Sequence, residues 1–202
     1  MEFVDYAVLV IFCGLGLVIL AAFIASRKSK DEKPEKFIEK KNENPPVDTE
    51  INQDIDCQKG AGIAVDIIKE FEGFKANEYL DLAGIRTIGW GTTNFDKNIK
   101  KVTKQEAEAY LNRDISIILN DLRKIIKVPL NHNQWAALIS FVYNVGITAF
   151  KHSTLLKLIN AQKNIYEIET EFMKWKHVGK KVVEGLVNRR RKEFLLFSKK
   201  AL

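Results

Sequence analysis

Two cysteines and three histidines are few for a chain of 202 residues, and they stand apart. Cys13 sits inside an apolar run and Cys57 lies far downstream, with no CxxC pair. This excludes a disulfide framework, a structural zinc site and a thioredoxin-like redox pair, and both cysteines read as bystanders. His132, His152 and His177 are scattered without ligand spacing, so no metal or other cofactor is expected. The length leaves room for one globular domain of roughly 140 residues and for no second core. Acidic residues are scarce only in the later part of the chain. Residues 1–60 carry 8 Lys/Arg against 11 Asp/Glu, and residues 61–202 carry 24 against 15. A domain with an excess of +9 is drawn to polyanions. It has no recognisable nucleic-acid reader element, so nucleic acid is not an expected partner.

Charge is absent from residues 6–26, YAVLVIFCGLGLVILAAFIAS. Such a run matches the roughly 20 residues that a helix needs to cross a bilayer. The reading is a short tail at 1–5 and one transmembrane or signal-anchor helix at 6–26, with the lipid bilayer as its partner. An acidic start (Glu2, Asp5) argues against a cleaved signal peptide. Arg27, Lys28 and Lys30 favour a cytoplasmic C-terminal side by the positive-inside rule. The chemistry below needs the opposite side, so the topology stays open between the two. Residues 27–60 contain Pro34, Pro45, Pro46 and closely alternating charges. They read as a flexible linker, because so few apolar side chains cannot offset the entropy of ordering. The domain is then 61–202.

The domain opens with AGIAVDIIKEFEGF, where Ile63, Ile67 and Phe71 form an apolar helical stripe and Gly73 suits the helix end. Glu72 is therefore the last helical residue before a reversal. NEYLDLAGIRTIGWGTT follows, with the β-branched and aromatic runs of a hairpin. If its turn centres near Gly84, Asp81 and Thr87 lie opposite each other across the strands. Glu72, eight residues, Asp81, five residues, Thr87 is a set suited to glycoside hydrolysis. One carboxylic acid kept neutral by apolar surroundings protonates the leaving oxygen, and a second carboxylate activates water on the other face of the sugar. By spacing alone this is a weak signal, because a Glu at a helix end and an Asp in a turn are usually solvated surface groups.

The stretch FEGFKANEYLDLAGIRTIGWGTT resembles the active-site segment of the phage-type lysozymes, the endolysins of glycoside hydrolase family 24. Their E-G, Y-x-D and T-I-G-x-G positions are matched by Glu72-Gly73, Tyr79-Leu80-Asp81 and Thr87-Ile88-Gly89-Trp90-Gly91. The similarity runs on through LNHNQWAALISFVYNVGITAFKHSTLLKLIN to GLVNRRRKEFLLF, covering about 61–202. The resemblance implies an α+β, mostly α, two-lobed lysozyme-like domain, with a small hairpin lobe and a larger helical lobe. It also implies a monomeric muramidase acting on peptidoglycan glycan strands from the periplasmic or extracellular side of the inner membrane. It gives Glu72 the role of general acid, Asp81 that of the carboxylate acting on water or on the anomeric charge, and Thr87 that of positioning the water. Arg189 falls where the family pairs an arginine with the acid. Asn144 and Gly146, at the exit of the helix QWAALISFVYNVG, are candidates to line the glycan cleft.

The rest reads as scaffold. Thr103 and Glu106 form a capping box ahead of a helix with Ala107, Leu111, Ile118 and Leu122 on its apolar face. Helices are expected at about 132–143, 153–160, 164–176 and 183–200, with Trp135, Phe141 and Tyr143 in the core. Two alternatives remain in view. One is a lytic transglycosylase, which the intact Asp81 and Thr87 argue against. The other is a non-enzymatic tethered module that presents Lys180, Lys181 and Arg189 to Lys192 to polyanions.

Overall fold

The computed structural model describes residues 8–13, 16–21, 47–81 and 84–200. The first elements are two strands, β1 (Val8–Cys13) and β2 (Gly16–Ala21), paired antiparallel with Val8 opposite Ala21 and Cys13 opposite Gly16. This part of the expected 6–26 helix is thus paired as strands. Residues 6–7, 14–15 and 22–26 lie outside the described residues, as do the 1–5 tail and linker residues 27–46. An unbroken apolar run has no period to separate helix from strand. Val8, Val10, Ile11, Val18 and Ile19 supply the β-branched content that favours pairing. Among the described residues, no helix is long and apolar enough to cross a membrane.

Helix α1 runs Val47–Glu72, so it begins inside the segment read from sequence as linker. The reason is tertiary. Gln53 exchanges two hydrogen bonds with the backbone of Leu130, at 3.2 and 3.1 Å, Asp56 Oδ1 accepts from the His132 backbone at 3.2 Å, and Cys57 is buried. Gly60 lets α1 lie tightly on the next buried helix, since a Cβ there would stand 2.6 Å from that of Trp135. These contacts offset an ordering cost that the polar composition alone could not.

Strands β3 (Lys75–Leu80) and β4 (Arg86–Gly89) form the antiparallel hairpin. Its register places Tyr79 opposite Thr87 and Leu80 opposite Arg86, with an irregularity between Lys75 and Tyr79. α2 (Lys104–Ile125) starts at the expected Thr103–Glu106 capping box and buries Ala107, Leu111, Ile115, Leu119 and Leu122. Ile118, expected on that face, is only partly buried beside it. α3 (His132–Val145), capped by Asn131, packs most extensively on α1 and also on the last helix. α4 (Ile147–Lys151), α5 (Thr154–Asn160) and α6 (Ile165–Lys174) follow. A two-residue pair, β5 (His177–Val178) with β6 (Lys181–Val182), then leads into α7 (Glu184–Phe197).

Two cores result among the described residues. The large one gathers α1 to α7 around Phe141, whose ring meets Phe150, Phe172 and Trp175 edge-on at 5.3–5.8 Å. The small one is Ile88, Val102 and Ala107, under the hairpin. α2 contributes to both, Ala107 to the small core and Leu111 onward to the large one, and so fixes the hairpin against the helical body. Gly89 makes that docking close: at φ +67° it presents no Cβ where one would stand 2.8 Å from Ala107 Cβ.

Candidate active site

Glu72 ends α1, and Gly73, at φ +66°, turns the chain away while its N–H returns to Lys69 O at 3.2 Å. The hairpin leaves from this point and comes back to it. A Cβ on Gly91 would stand 3.4 Å from Glu72 Oε2 and 3.6 Å from the Tyr143 hydroxyl. Glycine here, at φ +96°, keeps the wall beside the carboxyl thin. The Tyr143 hydroxyl donates to Trp90 O at 2.9 Å, tying α3 to the same loop. Burial, then the nearby Glu72 charge, push that hydroxyl far above its ordinary range, so Tyr143 stays a neutral donor.

Glu72 is buried, and its Oε1 accepts from Arg189 Nη1 at 2.7 Å. Arg189 also donates from Nε to Glu193 Oε1 at 3.1 Å and from Nη2 to Ser140 O at 3.1 Å. Glu193 in turn accepts from Ser140 Oγ at 2.8 Å and from Arg190 Nη2 at 3.2 Å, and Arg190 Nε lies 2.8 Å from its Oε2. Two arginines and two glutamates thus share one buried compartment. Loss of solvation raises the Glu72 pKa, Arg189 lowers it through charge and hydrogen bond, and burial prevails. The outcome is a carboxyl held above its ordinary range despite its arginine, which suits an acid that must carry a proton near neutral pH. Burial pulls Arg189 down, but Glu72 and Glu193 more than reverse it. Arg190 is brought down to about 10, first by burial, with Arg189 adding to the fall and Glu193 opposing it.

The other sequence-derived residues fall as follows. Asp81 is buried at the end of β3, where its backbone N–H bonds Ile85 O at 2.9 Å and its Oδ1 accepts the Ile85 N–H at 2.8 Å. Asp81 therefore faces Ile85, and Thr87 faces Tyr79, which corrects the expected direct opposition of Asp81 and Thr87. The turn is two residues tighter than a Gly84-centred one would be for that pairing. Asp81 and Thr87 are diagonal neighbours, still on one face by the two-residue period. Thr87 is fully buried, and its hydroxyl donates to Ile85 O at 3.1 Å, leaving acceptor lone pairs. Arg189 meets Glu72 directly, as the family resemblance implied. Asn144 is wholly buried and accepts from Arg190 Nη2 at 2.9 Å, so it braces the arginine cluster instead of lining a cleft. Gly146, at φ 84°, is the C-cap of α3, its N–H bonded to Val142 O at 2.8 Å.

Arg189 and Arg190 are also not part of a solvated basic face, since their exposures are 1% and 0%. That removes the centre of the polyanion-binding strip considered above. Sequence reasoning missed Glu193 and Ser140, and it read Arg190 as part of a basic strip and Tyr143 as core only. The signals for the first two were a glutamate three and four residues beyond two adjacent arginines and a serine inside the apolar α3 run.

The family described as Phage lysozyme matches residues 69–193 of this chain. An endolysin of Acyrthosiphon pisum secondary endosymbiont phage 1 is 42% identical over 136 residues, 65% of this chain and 92% of that protein. The endolysin of Bacillus phage B103 is 38% identical over 66% of this chain and 51% of that protein, so the chain spans about half that relative's length. A protein named SAR-endolysin from Bacteriophage PS119 is 37% identical over 60% of this chain and 73% of its own length. Among solved structures, the endolysin from Escherichia coli O157:H7 phage FAHEc1 aligns with a TM-score of 0.61 at 38% identity, covering 67% of this chain and 90% of that one. The muramidase domain of SpmX from Asticaccaulis excentricus aligns at 0.63 and 31% identity, covering 68% and 95%. With a family match over more than half its length, on a mostly helical body with small antiparallel sheets, the chain belongs to the phage lysozyme family.

Proposed function

We propose that the chain is a lysozyme that hydrolyses the β-1,4 bonds between N-acetylmuramic acid and N-acetylglucosamine in bacterial peptidoglycan, degrading the wall and lysing the host cell. The observation that carries this reading is Glu72: a buried carboxyl at a helix end, raised by burial against the pull of Arg189, with Oε2 beside Gly91. Relatives named endolysin and a neighbour titled as a muramidase domain support it. Protonated Glu72 gives its proton to the glycosidic oxygen as the bond to the anomeric carbon breaks. Asp81 takes a proton from the attacking water, whose oxygen joins the anomeric carbon. Thr87, through its acceptor lone pairs, holds that water. The products are two shorter glycans, and Glu72 is then an anion that Asp81's proton, passed through solvent, restores.

Glu72→Gln in the full-length chain tests this. The amide is nearly isosteric but donates no acidic proton, so wall clearing should fall by about 10² or more, with the far-UV spectrum unchanged. Clearing within a few-fold of the parent would remove Glu72 from the role.

The same reading places a monomeric enzyme at the inner membrane through residues 6–26, with the catalytic domain acting on the periplasmic or extracellular side. Relatives named SAR-endolysin support a membrane association. Physical chemistry supports a helical span in lipid over the paired strands. A two-stranded hairpin leaves the outer edges of both strands unpaired, and hydrocarbon offers those groups no partner, whereas a helix satisfies them internally.

A further inference from the structure

We propose that Glu193 is a positioning residue for the acid, dividing Arg189 between two carboxylates so that Glu72 remains available as a proton donor. The inference rests on the reading of Glu72 as the general acid. Glu193 touches no position open to a glycan: it is wholly buried and reaches Glu72 only through Arg189.

The charges explain what it does. Two arginines and two ionised glutamates leave the compartment neutral, and protonating Glu72 gives it +1. Without the Glu193 charge, the same two states carry +1 and +2, so proton loss from Glu72 becomes the favoured way to relieve a buried excess of positive charge. Glu193 prevents this by engaging both arginines. Its Oε1 accepts from Arg189 Nε at 3.1 Å and Arg190 Nη2 at 3.2 Å, and its Oε2 lies 2.8 Å from Arg190 Nε. Helical spacing sets this up, since Glu193 follows Arg190 and Arg189 by three and four residues on α7. Ser140 of α3 fixes the carboxyl from the other side with a 2.8 Å hydrogen bond.

The remaining polar groups around Glu72 do not supply that negative charge. Tyr143 from α3 is a neutral hydroxyl bonded to Trp90 O, and Asn144 is a neutral amide held by Arg190. Asp114 of α2 accepts from Thr92 at 2.9 Å and pairs with Arg113 at 2.8 Å. Lys69 of α1 pairs with Glu108 at 2.8 Å, and Glu70 pairs with Lys192 at the surface. Asp81 is engaged in the hairpin turn by the Ile85 N–H.

The test is the pH dependence of wall clearing by the full-length chain as Glu193→Gln, Glu193→Asp and the double variant Arg190→Met/Glu193→Gln. The Glu72 side-chain carboxyl is titrated by NMR in the same proteins. Glu193→Gln should move the alkaline limb to lower pH by about one unit, giving about tenfold less activity on that limb and an unchanged acid-side plateau. Glu193→Asp should restore the parental limb. The double variant leaves no extra unpaired arginine, but Arg189, no longer shared with Glu193, still faces Glu72 alone, so its shift should be smaller but in the same direction. A purely structural Glu193 would lower stability and leave the limb where it was, and that result in a folded variant overturns the proposal. So does failure of both Gln-bearing variants to fold, which assigns Glu193 to the scaffold. If the parent clears no walls, the lysozyme reading fails by itself. The carboxyl titration still decides what Glu193 does to Glu72.

Discussion

Replacing Arg189 with Met should destabilise the domain by an amount that grows with pH, and the structure sets its size. Arg189 is 1% exposed and makes three buried hydrogen bonds, to Glu72 at 2.7 Å, Glu193 at 3.1 Å and Ser140 O at 3.1 Å. Breaking a buried pair by removing one partner costs about 3–5 kcal/mol, because the other charge is left without compensation. Glu193 keeps Arg190, whereas Glu72 loses its paired cation. Glu72, already raised by burial, then rises further in the folded state. A raised folded pKa contributes stability that is fully present below the unfolded value and is lost as pH rises through the folded one. The variant's deficit should therefore be smallest at the acid end, where Glu72 keeps its proton in both proteins, and should increase toward pH 8. Because Glu72 is raised in the parent as well, the deficit grows only between the parent's folded value and the variant's higher one, at about 1.4 kcal/mol per pH unit for the one proton involved. Urea midpoints for parent and variant at pH 4.5, 6 and 8 measure this. Adding Glu72→Gln to the variant should abolish the slope. Equal deficits at all three pH values, or a deficit that shrinks with pH, would refute the claim that Glu72 and Arg189 form a coupled buried pair.

Because Asp81 and Thr87 are proposed to act on one water, the double alanine variant should lose little more activity than the worse single one. Independent, multiplying losses in clearing rate would assign them separate tasks. Gly89→Ala places a Cβ at φ +67° and 2.8 Å from Ala107 Cβ, so denaturant midpoints should show a loss of about 2–4 kcal/mol, and a loss under about 0.5 would contradict the close docking of hairpin on α2. Removing residues 1–46 should leave clearing of isolated walls within about twofold, while removing 1–60 should lower the thermal midpoint sharply by deleting Gln53, Asp56 and Cys57 from their contacts. In cells the full-length chain should fractionate with the membrane; if it does, its appearance in the soluble fraction after depolarisation marks a releasable segment, and retention marks a fixed anchor.

Much of the helical framework was legible because its signals are local. The Thr103–Glu106 box, the α2 stripe and the continuous apolarity of α3 each depend on residues within a turn or two of one another. The start of α1 was not legible for the opposite reason. Residues 47–60 are polar and would not be helical alone; they are ordered by Leu130 and His132, which lie more than seventy residues away in the chain. The hairpin existed in the sequence, but its register did not. A shift of two residues preserves which side chains share a face, so alternation alone cannot choose between the expected pairing and the observed one, with Tyr79 opposite Thr87.

The site divides along the same line. Glu72, Asp81 and Thr87 lie on one continuous stretch, so motif spacing could name them, and Arg189 could be named through resemblance. The groups that act on Glu72 come from α3 and α7 and are, in sequence, a serine and an asparagine in an apolar helix and a glutamate in a basic one. Each is unremarkable where it stands. A run reading Asn-Arg-Arg-Arg-Lys looks like a solvated face until the fold buries the first two arginines, and burial then requires an anion. Two buried arginines beside a single buried acid, Glu72, leave a second charge to be matched. Glu193, one helical turn farther on, is the group positioned to match it.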